Sequence, residues 1–205
     1  MMLDESSLAE GIALLSERDS DLAAVVRRFG PPPLWARKQG FATLLLIILE
    51  QQVSLASARA AFGRLEAAIP AVTPEHFNAL DDATLRKVGF SRQKAGYGRT
   101  LAAALIDETL DLAALAGLPD EIARDALVSL KGVGPWTADT YLLMALGRPD
   151  VWPAGDIALQ AAVHEIKCLP HRPSHDEMEA LAEGWRPWRA VAARILWFHY
   201  LGGRG

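Results

Sequence analysis

The segment FATLLLIILE, from Phe41 to Glu50, is apolar almost all round, and no other stretch limits the possible folds so strongly. A helix without a polar face must be enclosed by its neighbours, so this one predicts a central helix with the other elements wrapped about it. Its unbroken apolar run, Leu44 to Leu49, falls far short of the roughly 20 residues that a membrane-spanning helix requires. The segment ends at the polar Glu50-Gln51-Gln52.

The rest of the chain is punctuated for helices too. They are expected over about residues 3–16 and 19–29, the second ending at Gly30 and the Pro31-Pro32-Pro33 breaker, which reads as a link between lobes. Ser54 caps a helix to about Ala68, and Pro70 and Pro74 bound a connection to Glu75–Leu80. Asp82 caps Ala83–Val88, Gly89 ends it, and Ser91 caps a long segment from Arg92 towards Glu108. A helix opens at Asp120 and runs to Leu130, and after a glycine-rich turn Trp136–Leu146 is helical again. Ser174 and Glu177 have capping-box spacing, and Pro187 stands where a first helical turn admits proline, ahead of Trp188–Leu201. No stretch alternates with period two between hairpin turn residues, so the expected fold class is all-α.

Bulk properties exclude more than they assign. At 51% hydrophobic and 22% charged, the 205 residues are neither disordered nor fibrous. MMLDESSLAE at the start has no basic n-region or apolar h-region, which predicts cytoplasmic residence. The single cysteine, Cys168, excludes an intramolecular disulfide, a four-cysteine zinc site and a four-cysteine iron–sulfur cluster within the chain. Cys168, His171 and His175 make a poor metal site, because Pro170 and Pro173 interrupt any helical presentation. A net charge of −4 disfavours a polyanionic ligand, but the charge is segregated. Arg86, Lys87, Arg92, Lys94 and Arg99 follow one another with no acidic residue between, the charges of Asp4–Asp21 are almost wholly acidic, and Arg186, Arg189 and Arg194 form a second basic cluster. That pattern gives either one basic face or ordinary solvated helix faces.

The chemistry gathers around Lys131-Gly132-Val133-Gly134-Pro135. Two glycines one residue apart between helices permit the positive φ that so tight a reversal needs. Successive N–H groups in such a turn, with the N-terminus of the helix starting near Trp136, can face a phosphate, although a lone Gly-x-Gly can equally be a plain connector. Downstream, a proline- and glycine-bearing loop delivers Asp156 to the start of another helix. Aspartate there is a favoured N-cap, and the same helix terminus favours an ionised carboxylate, so cap and reactive anion are compatible readings.

LKGVGPWTADTYLLMALGRPDVWPAGD, with ILEQQVSLASA (Ile48–Ala58), VGFSRQKA (Val88–Ala95) and WRPWRAVAARILW (Trp185–Trp197), resembles the helix-hairpin-helix (HhH-GPD) DNA glycosylase superfamily. Within it the chain is similar to the bacterial 3-methyladenine glycosylase II branch from about Gly40 onward. The resemblance implies two helical lobes with a cleft between them. Residues 40–147 would hold the helix-hairpin-helix, and residues 1–39 plus 148–205 the catalytic aspartate and C-terminal helix. It leaves no room in 205 residues for the N-terminal β-domain of larger members. It further implies a bacterial-type cytoplasmic protein, associated with the nucleoid through double-stranded DNA containing damaged bases, with no membrane partner and active as a monomer.

Site roles follow from the same resemblance. Asp156 would be the catalytic carboxylate, stabilising positive charge on the sugar as the base departs, much as carboxylates do in glycoside hydrolysis. Strand-cleaving members carry a Schiff-base lysine where this chain has Trp136, so the implied activity is monofunctional hydrolysis of the N-glycosidic bond of cationic, alkylated purines, without AP-lyase chemistry. Trp136 would stack on the extruded base, with Trp197 as a second wall and Tyr141 and Trp152 as further candidates. Lys131, Gly132, Val133, Gly134 and Thr137 would hold the DNA backbone, while Gln52, or its neighbour Gln51, would fill the gap in the duplex. The only cofactor implied is a monovalent cation, Na or K, on the carbonyls of Val128, Leu130 and Val133. Two alternatives stay open: a glycosylase for oxidised or mismatched bases, and a helix-hairpin-helix module that grips DNA without catalysis.

Overall fold

A computed structural model describes residues 2–202 of the chain. Its elements, in order, are α1 (Glu5–Arg18), α2 (Ser20–Phe29), α3 (Phe41–Glu50), α4 (Leu55–Ala68), α5 (Pro74–Asn78), α6 (Asp82–Val88), α7 (Arg92–Ile106), α8 (Asp120–Val128), α9 (Pro135–Met144), α10 (Ile157–Ile166), α11 (His175–Ala182) and α12 (Arg189–Tyr200). Short 3-10 turns lie at Ala114–Gly117 and Glu183–Trp185, and there is no strand among the described residues. The fold is therefore all-α. None of these helices is long and apolar enough to cross a membrane.

Local chemistry explains where the helices begin. Asp4, Asp19, Ser54, Thr73, Asp81, Ser91, Asp156 and Ser174 each stand at an N-cap and accept a hydrogen bond from a backbone N–H of the following turn. Three boundaries depart from expectation. Asp81, not Asp82, caps α6, because its carboxylate reaches the Thr84 N–H at 2.7 Å. α8 opens at Asp120 as expected but ends at Val128, short of Leu130. Pro187 lies outside α12, in a cis peptide with Arg186.

The chain divides into two compact units, Arg37–Tyr141 and Met1–Ala36 with Leu142–Gly205. In the first, α3 packs against α4 and α7. Leu44, Leu45, Ile47, Ile48 and Leu49 are all buried, as an apolar helix demands. Phe41, Phe77 and Phe90 form an aromatic run with ring centroids 5.8 and 5.4 Å apart. Polar groups close the C-terminal end of α3. Arg37 pairs with buried Glu50 through two 2.9 Å bonds, and the Lys94 ammonium donates to the carbonyls of Leu49 (2.6 Å) and Gln51 (2.7 Å). A cation on the last carbonyls also complements the helix dipole, and partial burial holds the Lys94 pKa below its usual value.

In the second unit, α12 packs against α1, α2 and α10. Its Arg194 is enclosed. The guanidinium donates to the carbonyls of Leu34 (2.7 Å), Ala190 (2.9 Å) and Leu143 (3.0 Å), and burial lowers its pKa to about 10. Asp19 gathers α2, α10 and the 3-10 turn: one carboxylate oxygen caps α2, and the other accepts from Trp185 Nε1 (2.8 Å) and Lys167 Nζ (2.9 Å).

Candidate functional site

The turn between α8 and α9 is built by sterics at Gly132. Its φ is +98°, in the left-handed region, and a Cβ there would lie 2.1 Å from Cγ of Tyr97 on α7. Only glycine satisfies both conditions. Gly134 differs from expectation: its φ is not left-handed, and a Cβ would meet nothing within 4 Å. The second glycine is thus not required by the turn, and its missing side chain leaves open space at the mouth of α9. Val133, between them, is buried, and its N–H closes the turn on the Leu130 carbonyl at 3.0 Å.

The remaining expected residues of this unit separate by exposure. Lys131 is exposed and Trp136 half-buried. Thr137 is 2% exposed, so it is a buttress and not a surface contact: its hydroxyl accepts from the Gln51 side chain at 2.9 Å. The same amide donates to the Gly132 carbonyl at 2.8 Å. Gln51 is therefore committed to the hairpin in this structure, contrary to a wedge role, whereas Gln52 is exposed and held at φ +57°. Tyr141 is fully buried with its hydroxyl accepting from the Gly40 N–H at 3.0 Å, and burial pushes its pKa up. It belongs to the core of its unit, where no aromatic face is on offer. The glutamine tie escaped the sequence because Gln51 and Gly132 are 81 residues apart, and nothing in either local pattern marks the pairing.

Beside the hairpin lies a groove of about 610 Å³ lined by Arg92, Gln93, Gly96, Tyr97, Thr100 and Lys131. It has two basic side chains and no acidic one, which gives local meaning to the basic run around α7. Two other members of that run serve the fold instead: Lys94 caps α3, and Arg99 donates to the carbonyls of Asn78 and Leu80 and to Asp82. The second arginine cluster is structural as well. Arg186 and Arg189 both pair with Asp150 and Glu183, and Arg194 is buried.

In the other unit, Asp156 is placed by its loop and by its helix. Turns closed by Ala154 N–H on the Trp152 carbonyl (3.1 Å) and Asp156 N–H on the Pro153 carbonyl (2.9 Å) bring it to the N-cap of α10. Asp156 is 8% exposed, and its Oδ1 accepts from the Leu159 N–H at 2.9 Å and from Trp197 Nε1 at 3.2 Å. Asp139 is held by Arg124, and Asp150 by Arg186 and Arg189. Trp197, expected as an aromatic wall, is thus joined to the carboxylate through the edge of its ring, a contact across 41 residues that no local motif announces. Trp152 is 1% exposed and packs edge-on against Trp185, centroids 5.3 Å apart, so its face is taken up by the core. Ile157, directly after Asp156, is 68% exposed. No cluster of three or more His, Cys, Asp or Glu able to hold a metal occurs among the described residues.

Residues 45–187 match the model of the HhH-GPD superfamily of base excision DNA repair proteins. The Bacillus subtilis protein YfjP is 30% identical over 186 residues, which are 87% of this chain and 65% of YfjP, so the chain spans just under two thirds of that relative. DNA-3-methyladenine glycosylase 1 of Schizosaccharomyces pombe is 28% identical over 189 residues, covering 89% of this chain and 82% of the relative. Among solved structures, a 3-methyladenine DNA glycosylase of S. pombe in complex with abasic DNA superposes with a TM-score of 0.84 at 26% identity, covering 92% of this chain and 95% of that one. A DNA-3-methyladenine glycosidase of Bacillus halodurans gives 0.76 at 27% identity, covering 96% and 90%.

Proposed function

Since the chain belongs to the HhH-GPD superfamily of base excision DNA repair proteins, we propose that it is a monofunctional DNA glycosylase that hydrolyses the N-glycosidic bond of alkylated, cationic purines such as 3-methyladenine in double-stranded DNA. The observation that carries this reading is the setting of Asp156, a carboxylate at the N-terminus of α10 held through Oδ1 by two N–H donors. As the bond from C1′ to the base breaks, positive charge develops on the sugar. A fixed anion whose orientation is set in advance stabilises that charge without reorganising. A cationic base leaves without prior protonation, so one carboxylate is enough.

On this reading the hairpin and the open space at Gly134 receive a phosphodiester, with Lys131 supplying charge from the edge. Trp136 stacks on the extruded base, and Gln52, the exposed member of its pair, fills the gap left in the duplex. With tryptophan in place of lysine after the hairpin, no Schiff base forms there and the strand stays intact. The carbonyls of Val128, Leu130 and Val133 are hard neutral oxygens, a donor set suited to Na or K, and Leu130 keeps a second lone pair beside the one bonded to the Val133 N–H. A cation held there would add positive charge for a phosphate. Function in the cytoplasm as a monomer completes the proposal.

The test is base release from methylated duplex DNA, read by mass spectrometry. Wild type should free 3-methyladenine without nicking. Asp156→Asn, which retains a good N-cap, should stay folded and bind duplex while losing excision by at least about a hundredfold. A wild-type protein that releases no alkylated base refutes the proposal.

A further inference from the structure

We propose that Trp197 acts in this reaction as a positioning residue, whose indole N–H fixes the Asp156 carboxylate, in addition to any stacking its ring provides. The inference rests on the glycosylase reading for its chemistry and on geometry for its assignment. Asp156 Oδ1 accepts from the Leu159 N–H, which any N-cap aspartate would do, and from Trp197 Nε1, which the cap does not require. Both residues are buried, at 8% and 9% exposure, so the bond operates where water competes poorly.

Trp197 is itself held firmly. It lies on α12, which packs along α10, and three residues before it Arg194 anchors the same helix to the carbonyls of Leu34 and Leu143. The indole edge is therefore delivered to Oδ1 by a rigid element. Two donors arriving from different elements converge on the same carboxylate oxygen, and the one from Trp197 ties it to α12. A stacking wall needs only the face of an aromatic ring, while this contact uses the edge and needs a donor. The two roles are chemically separable.

Replacing Trp197 with β-(3-benzothienyl)alanine keeps the bicyclic ring and its volume and removes only the N–H. With enzyme in excess over a duplex holding 7-methylguanine, the single-turnover rate should fall about tenfold to a hundredfold, the worth of one hydrogen bond to a charged acceptor. Affinity for a duplex with a tetrahydrofuran abasic analogue should stay unchanged. Trp197→Phe, which also loses ring area, should weaken both rate and affinity. An unaltered rate in the benzothienyl variant overturns the proposal, as does a loss confined to affinity, which assigns Trp197 to stacking alone. A second readout needs no substrate: in 1H–15N spectra, Asp156→Asn should shift the Trp197 indole resonance, and an unmoved resonance also overturns the inference. If wild type excises nothing while that shift is present, the glycosylase reading fails and the positioning contact stands.

Discussion

Substituting the two hairpin glycines one at a time separates folding from DNA contact. Gly132→Ala forces a residue with a Cβ to φ +98° and drives that atom to 2.1 Å from Cγ and 2.4 Å from Cδ1 of Tyr97. The left-handed conformation costs about 1–2 kcal/mol, and overpacking adds about 1–3 kcal/mol, for a total of about 2–5 kcal/mol. In a chain of this length each kcal/mol lowers the melting temperature by about 2–4 °C, so a drop of about 5–20 °C is expected in a thermal melt followed by circular dichroism. Gly134→Ala meets neither obstacle, since nothing lies within 4 Å of the added atom and φ is not left-handed. Its melting temperature should stay within about 2 °C of wild type, as for substitutions costing no more than about 0.5 kcal/mol. Its affinity for duplex DNA, read by fluorescence anisotropy, should fall several-fold as the methyl group enters the space assigned to a phosphate. Tyr97→Ala in the Gly132→Ala background should recover the packing part of the loss and not the backbone part. Equal destabilisation by the two alanines, or a neutral Gly132→Ala, refutes this account of the turn.

Gln51 and Gln52 should behave as different kinds of residue despite their adjacency. Gln51→Ala leaves the Gly132 carbonyl and the Thr137 hydroxyl without their donor, a cost of about 1–3 kcal/mol visible in denaturant melts, whereas Gln52→Gly relieves a left-handed backbone, gains up to about 1 kcal/mol and slows base release. A destabilised Gln52→Gly contradicts the assignment. The Asp19–Lys167 pair should narrow the pH range of stability at both ends. Burial pushes the Asp19 pKa up, but the hydrogen bonds from Trp185 and Lys167 outweigh it and hold it below the usual value, so its contribution is complete above the unfolded carboxylate pKa and is lost as pH falls through the lower folded one. Burial likewise pushes Lys167 down, and its bonds to Asp19 and Asp21 more than reverse this, so its contribution is present below the unfolded lysine pKa and is lost as pH rises through the raised one. Asp19→Asn should flatten the acid side of a plot of melting temperature against pH, and parallel acid limbs in variant and wild type count against it.

Much of this molecule was legible in order along the chain. Caps such as Ser54, Ser91 and Ser174, the all-round apolar α3 and the left-handed Gly132 are set by contacts within a few residues, so the helices, the hairpin and the arrival of Asp156 at the head of α10 could be read locally. The identity of the partners could not. Gln51 with the hairpin, Lys94 with the end of α3, Arg194 with three carbonyls and Trp197 with Asp156 join residues 41 to 160 positions apart, apart from the one carbonyl a helical turn away from Arg194. A side chain's hydrogen-bonding capacity is written in its residue type, but which acceptor uses it depends on helix packing, and packing responds to the shape of the whole core. That is why two glutamines side by side, or three tryptophans named for one pocket, look alike in sequence and take different positions in the fold.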